Sequence, residues 1–160
     1  MNMRSKRGIL WFTVYSAFLA FLCGCATKTP PQSLFSMSGP DWHVQQGQAL
    51  WTPRTGAPQF GGDILLATNN GDAFVQFNKT PLTIVTAQTT LKNWLIRFPQ
   101  NHQAWSGRQP APARTIWLYL ADALAGKPLP KPLHFELKPD GNWRLENVKT
   151  GEILEGFLSS

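Results

Sequence analysis

The sequence predicts a mainly β domain of the α+β class, in which an antiparallel sheet of roughly seven to nine short strands carries one or two helices. Apolar and polar residues alternate along several short segments, as at Leu133, Phe135 and Leu137. Turn dipeptides such as Asn70-Gly71 separate these segments. Charged residues make up only 15% of the chain and hydrophobic ones 42%, which excludes an intrinsically disordered chain. The one-sided alternation indicates a sheet with one face on the core and the other in water.

Strands are predicted throughout the first half of the domain. They cover 42–51, 63–78, 82–88, 91–98 and 102–106, and a loop rich in Pro and Gly occupies 53–62. Segment 63–78 forms a hairpin, because Asn70-Gly71 can adopt the positive φ angles that a type I′ turn requires. Along 91–98, period-2 alternation turns Trp94, Ile96 and Phe98 to one face.

One helix is predicted over 114–125. Pro112 stands near its start, where a missing N–H costs nothing. Gly126 suits the position just after the helix, and Pro128 blocks its continuation. A buried strand over 115–120 is the alternative interpretation of this segment.

A meander of three strands is predicted to follow the helix. The strands cover 133–138, 142–148 and 153–158. Pro139-Asp140-Gly141 forms the first turn, because Pro presets φ and Gly accepts the left-handed conformation. Thr150-Gly151 forms the second turn.

The N-terminus has the pattern of an export signal. Residues 1–8 contain the positive charges, and the uncharged segment 9–23 follows. This segment has 15 residues, which is short of the ~20 that span a bilayer as a helix. The pattern therefore predicts a signal peptide rather than a transmembrane helix.

The end of this signal resembles a bacterial lipobox, Leu22-Cys23-Gly24-Cys25. The resemblance implies that residues 1–24 are a lipoprotein signal peptide and that Cys25 becomes the lipidated N-terminus, bearing acyl chains such as palmitate. Ala26, where inner-membrane retention would require Asp, implies the outer membrane and the periplasmic face. An ordinary signal peptide, or an anchor that is never cut, is the alternative.

Lipidation at Cys25 defines the rest of the organisation. Residues 25–40 read as the lipidated Cys and a flexible tether rich in Pro, Ser and Thr, and 41–160 form the folded domain. The mature chain has no free thiol, so neither a disulfide nor a thiolate metal site is expected. Without 1–24, 12 basic and 9 acidic side chains leave a net charge of +3. With no run of Lys or Arg, a nucleic-acid partner is not expected.

The sequence contains no recognisable catalytic constellation. Phosphate-binding, dinucleotide, nucleophile-elbow and zinc motifs are all missing from it. His134 and Glu136 share one face of a predicted strand, and we expect both in solvent because the residues between and around them take the core. We therefore predict a non-enzymatic protein without a cofactor or a metal ion.

Aromatic residues form the most distinctive residue class. A single sheet with one helix leaves part of its inner face uncovered, and uncovered apolar surface is typical of a binding site. The candidate ligand-binding residues are Trp51, Trp94, Ile96, Phe98, Trp105 and Trp117. An aromatic core without a ligand is the alternative.

Three arginines near these aromatics are candidates for contacts with lipid phosphates. Arg97, Arg108 and Arg114 flank Trp94 and Trp105 in the sequence. A guanidinium group binds phosphate in a bidentate manner. Solvated surface positions are the alternative for all three.

The start of the domain resembles the LolA/LolB family of lipoprotein localisation factors. The pattern is Trp-x-Val-x-x-Gly-x-Ala-Leu, carried by Trp42, Val44, Gly47, Ala49 and Leu50. The resemblance implies an unclosed half-barrel with helices on its concave face, which carries the acyl chains of lipoproteins. The expected function is binding or transfer of a lipidated or apolar ligand, and the alternative is an accessory lipoprotein that docks on another envelope protein.

Replacement of Cys25 tests the lipobox. Cys25→Ala should abolish incorporation of labelled palmitate, because the lipid is attached to that sulfur. Cys23→Ala is the matched control and should remain labelled, since Ala is another small residue at the same position. A wild-type chain that takes up no palmitate would contradict lipidation.

Overall fold

The domain is built on one antiparallel sheet of nine strands. The structure, a computed structural model, describes residues 31–159. The predicted signal peptide over 1–24 and the lipidation site Cys25 lie outside these residues. The strands are β1 (His43–Thr52), β2 (Phe60–Asn69), β3 (Asp72–Lys79), β4 (Leu82–Thr89), β5 (Asn93–Phe98), β6 (Gln103–Arg108), β7 (Leu133–Leu137), β8 (Trp143–Asn147) and β9 (Glu152–Ser159).

Two meanders make up the sheet, whose order is β6-β5-β4-β3-β2-β1-β9-β8-β7. Strands β1 to β6 are adjacent in chain order, and β7 to β9 form a second meander whose last strand pairs with β1. Within residues 31–159, the edge strands β6 and β7 have a neighbour on one side only. The sheet is therefore an open half-barrel, and the predicted antiparallel, mainly β class is confirmed.

The predicted strands are present, with one clear correction at β2. The sequence predicts a loop over 53–62, but β2 begins at Phe60, which pairs with Trp51. Ladder pairing with β1 also holds Gly61 and Gly62 in the strand, although glycine disfavours strands by itself.

Between β6 and β7, residues 116–124 form a helical segment that packs on the concave face of the sheet. A 3₁₀ turn, Ile116–Tyr119, leads directly into the short helix α1, Leu120–Leu124. The helix predicted over 114–125 is therefore shorter than expected, and a buried strand over 115–120 is wrong. All four residues of the 3₁₀ turn are buried, so this segment lacks the polar face of an ordinary amphipathic helix. A second 3₁₀ turn, Pro99–Asn101, joins β5 to β6.

The core fills the space between the concave face and this helical segment. The largest fully buried side chains come from both, among them Trp117 from the helical segment and Phe77, Trp143 and Ile64 from the sheet. Burying an aromatic or branched side chain contributes roughly 1.5–3 kcal/mol. Packing between the helical segment and the sheet therefore stabilises the open half-barrel.

The outer face of the sheet is contacted by the chain that precedes β1. Gln88 is buried on this face, and its Oε1 accepts a hydrogen bond from the Leu34 N–H at 2.9 Å. Its Nε2 donates to the Phe35 carbonyl at 3.4 Å. Leu34 and Phe35, which belong to the predicted tether 25–40, thus lie against the sheet.

Candidate functional site

A cavity of about 300 Å³ lies between the concave face at β5 and β6 and the start of the helical segment. Its wall combines aromatic and apolar side chains with one acidic and one basic group. The lining residues are Trp94, Ile96, Phe98, Trp105, Pro112, Arg114, Thr115, Trp117 and Glu152. Trp105 enters from the edge strand β6, opposite Ile96. The cavity therefore forms where the sheet ends.

The structure brings together five of the six predicted apolar ligand-binding residues. They are Trp94, Ile96, Phe98, Trp105 and Trp117. The set spans the range from core to surface, since Trp117 is 1% exposed and Trp105 is 46% exposed. One end of the site is thus part of the core, and the other is open to water.

The sixth predicted residue, Trp51, lies directly behind the cavity. Its ring centroid is 5.5 Å from that of Trp117 and 6.3 Å from that of Phe98. Its Nε1 donates a hydrogen bond of 3.0 Å to Oε1 of Glu152. Trp51 therefore supports two rings of the wall and positions the acidic group.

Trp94 is held in place by the neighbouring strand. Its Nε1 donates to the carbonyl of Arg108 at 3.0 Å, and its ring lies over Gly107. A Cβ at Gly107 would come within 2.9 Å of Cζ2 of Trp94. Because only glycine leaves room for the indole, β6 fixes the orientation of Trp94 at the cavity wall.

The three predicted arginines lie in three different places. Arg114 is exposed and lines the cavity. Arg97 lies on the outer face, where it donates to Oγ of Ser33 at 3.3 Å. Arg108 is exposed at the end of β6. Of the three, Arg114 is the one that could meet an anionic group of a ligand in this cavity.

Glu152, a residue that the sequence analysis missed, is the acidic group of the cavity. It is 9% exposed and accepts hydrogen bonds from the Trp51 indole and the Ile116 backbone N–H. Burial raises the pKa of Glu152 from 4.5 to about 7, and the two hydrogen bonds oppose this rise. Within residues 31–159, the ion pairs involve other carboxylates, so no basic side chain neutralises Glu152.

The alternation of β9 contained a signal for Glu152. Leu154 stands on the core face of this strand, and Glu152 lies two residues earlier, hence on the same face. An acidic residue at a core position is uncommon and is a candidate functional group. The predicted strand begins at residue 153, so the prediction leaves Glu152 in the preceding turn.

A larger surface depression, of about 650 Å³, lies around β1, β2 and β9, near Leu50 and Phe157. It contains none of the predicted ligand-binding residues and has no buried titratable group. We therefore place the candidate site in the smaller cavity, where aromatic rings and a buried carboxyl group converge. His134 and Glu136 are exposed, as expected.

Comparison with known proteins assigns no role to this cavity. No family model matches the chain, and no curated protein matches it. Over residues 31–159, the structure has no helix that is long and apolar enough to cross a bilayer. The same residues contain no group of three or more His, Cys, Asp or Glu side chains placed to hold a metal ion.

Glu152→Gln should make the stability of the domain less dependent on pH. Because the folded pKa of Glu152 is above its ordinary value, the folded state binds its proton more tightly than the unfolded state does. As the pH rises from 4.5 to 7, the unfolding free energy of the wild type should therefore fall by about 3 kcal/mol. Glu152→Gln should not show this loss.

Chemical denaturation at several pH values measures this difference. Glu136→Gln, which removes an exposed carboxylate from β7, is the matched control and should follow the wild type. Parallel stability curves for the wild type and Glu152→Gln would contradict the buried, unneutralised carboxyl group.

Proposed function

We propose that the protein is an outer-membrane lipoprotein, anchored through Cys25, that binds or transfers a lipidated or apolar ligand at the periplasmic face. The lipobox supports the anchor and the location. The aromatic cavity supports ligand binding. The activity is binding, without a chemical step on the ligand.

The observation that carries this proposal is the convergence of five predicted residues on one solvent-accessible cavity. Small-molecule sites are concave, largely apolar and contain a few convergent polar groups, and they measure about 300–1,000 Å³. This cavity is at the lower end of that range. It suits one end of an amphiphile better than a complete diacyl lipid.

The open edge of the sheet offers a path for the remainder of such a ligand. Trp105 stands on the edge strand β6 and is almost half exposed. The exposed Arg114 lines the same cavity. A ligand held between the helical segment and β5 could therefore extend past Trp105 towards solvent, with Arg114 available to an anionic group.

An accessory lipoprotein that docks on another envelope protein is the second candidate function. Leu50 and Phe157 are 42% and 45% exposed on neighbouring strands of the outer face. Exposed apolar groups that lie together are typical of a protein contact. This function would use the outer face and leave the aromatic cavity without a ligand.

Ligand binding is tested in a soluble form that begins at residue 26. The tests truncate Trp105 and Trp117, the most exposed and the most buried tryptophan of the cavity wall. Trp105→Ala should weaken binding of a fluorescent acyl probe about tenfold, because it removes the exposed wall of the site. Its melting midpoint should remain close to that of the wild type. Trp117→Ala should instead cost about 3–5 kcal/mol of stability, because that indole is part of the core.

Leu91→Ala is the matched control for the probe measurement. Leu91 is the most exposed of the large apolar residues between 31 and 159, and it lies outside the cavity. Its truncation should change neither binding nor melting. If the wild type binds no acyl probe, or if Trp105→Ala binds it as the wild type does, the docking function is favoured instead.

A further inference from the structure

We propose that the cavity selects an amphiphile whose inner end is an ammonium-type cation, which the Glu152 carboxylate and the surrounding aromatic rings hold together. This inference rests on the proposed function, because it names the ligand class of the same cavity. It assigns the polar end of the ligand, and not its hydrocarbon tail, to the interior of the site.

Glu152 is unusual among the buried polar side chains of residues 31–159, which are Gln88, Asn147 and Glu152. Gln88 satisfies its amide with the segment before β1. Asn147 donates to the Ala113 carbonyl and accepts from the turn that follows β8. Glu152 alone is an acid, and it has two N–H donors but no opposite charge.

Glu152 is thus a buried carboxyl group that has no positively charged partner within residues 31–159. A carboxylate has about four acceptor positions, and the Trp51 and Ile116 donors occupy two. Burial of an uncompensated carboxylate is unfavourable, which the raised pKa of Glu152 expresses. A ligand cation at the cavity would supply the missing charge.

The aromatic lining suits an alkylated ammonium group in particular. Such a group is both positively charged and apolar at its surface, and indole faces attract it electrostatically. Trp94, Phe98, Trp105 and Trp117 all line the same cavity as Glu152. A carboxylate among several aromatic side chains is thus complementary to the charge and to the alkyl groups of this ligand class.

The lining disfavours a metal ion and a neutral chain end as the inner group of the ligand. A bound metal ion would require further His, Cys, Asp or Glu ligands, and the cavity lining contains only Glu152 of these. A neutral chain end would leave the carboxylate uncompensated or would require its protonation. Arg114 is the one other charged residue of the lining, and it is exposed. It can interact with an anionic part of the ligand while the cation lies beside Glu152.

Three short probes with the same tail separate charge from hydrophobicity. Hexyltrimethylammonium, hexan-1-ol and hexyl sulfate are titrated into the full chain in dodecyl maltoside, and heats of binding are measured by calorimetry. At pH 8 the cation should bind at least about tenfold more tightly than the alcohol, the size of one charged interaction. Hexyl sulfate should bind most weakly.

Proton linkage gives a second readout. Because the cation requires ionised Glu152, its affinity should fall as the pH drops from 8 to 5.5, whereas that of the alcohol should not. Glu152→Gln should remove the preference for the cation and keep the affinity for hexan-1-ol within about twofold. Glu136→Gln is the matched control and should retain the preference.

The outcomes distinguish this inference from the function on which it rests. If the alcohol binds and the cation binds no more tightly, or if the preference persists in Glu152→Gln, the cation site is wrong while ligand binding stands. If none of the probes binds, both are wrong. Should Glu152→Gln fail to fold, the pH dependence of the wild type decides, and a pH-independent preference overturns the inference.

Discussion

Trp51 is the residue on which the sheet, the helical segment and the cavity all depend. Its ring contacts Phe77 from the sheet and Trp117 from the helical segment, with centroids 6.4 and 5.5 Å away. Its indole N–H is the donor to Glu152. One side chain therefore packs its ring against the core and positions the acidic group with its indole N–H. The cavity is continuous with the core for this reason.

The open sheet determines where the aromatic cavity, our candidate ligand site, forms. A closed barrel would pair β6 with another strand and would bury Trp105, but here β6 is an edge strand and Trp105 remains partly exposed. The helical segment is short, and its 3₁₀ turn already fills the middle of the concave face with Trp117. What remains uncovered is a small aromatic cavity at the β6 end of the sheet, with Glu152 in its wall.

Local patterns in the sequence were sufficient for the fold class and for most of the site wall. Period-2 alternation placed Trp94, Ile96 and Phe98 on one face, and the structure turns these three side chains into the cavity. The hairpin was equally predictable, because Asn70 and Gly71 adopt φ angles of 46° and 92°. These features depend on neighbours in the sequence, which a single chain makes visible.

The pairing of strands that are far apart in the sequence determines the features of the site that local sequence patterns did not predict. Glu152 contributes to the site because β9 lies beside β1, which brings it to Trp51 across 101 positions of the chain. The separation of Arg97 from Arg114 has the same origin: strand alternation puts Arg97 on the outer face, where the segment before β1 binds it. Alternation gives the face of a strand, whereas only the strand order gives the neighbour.

Native mass spectrometry of the wild-type protein, purified in detergent, tests most directly whether the aromatic cavity holds a ligand. We expect one small amphiphile bound per chain, retained through mild detergent removal. Less of it should be bound in Trp105→Ala, although the core of this variant should be intact. A wild-type spectrum that contains only the chain itself, with no bound ligand, would contradict ligand binding.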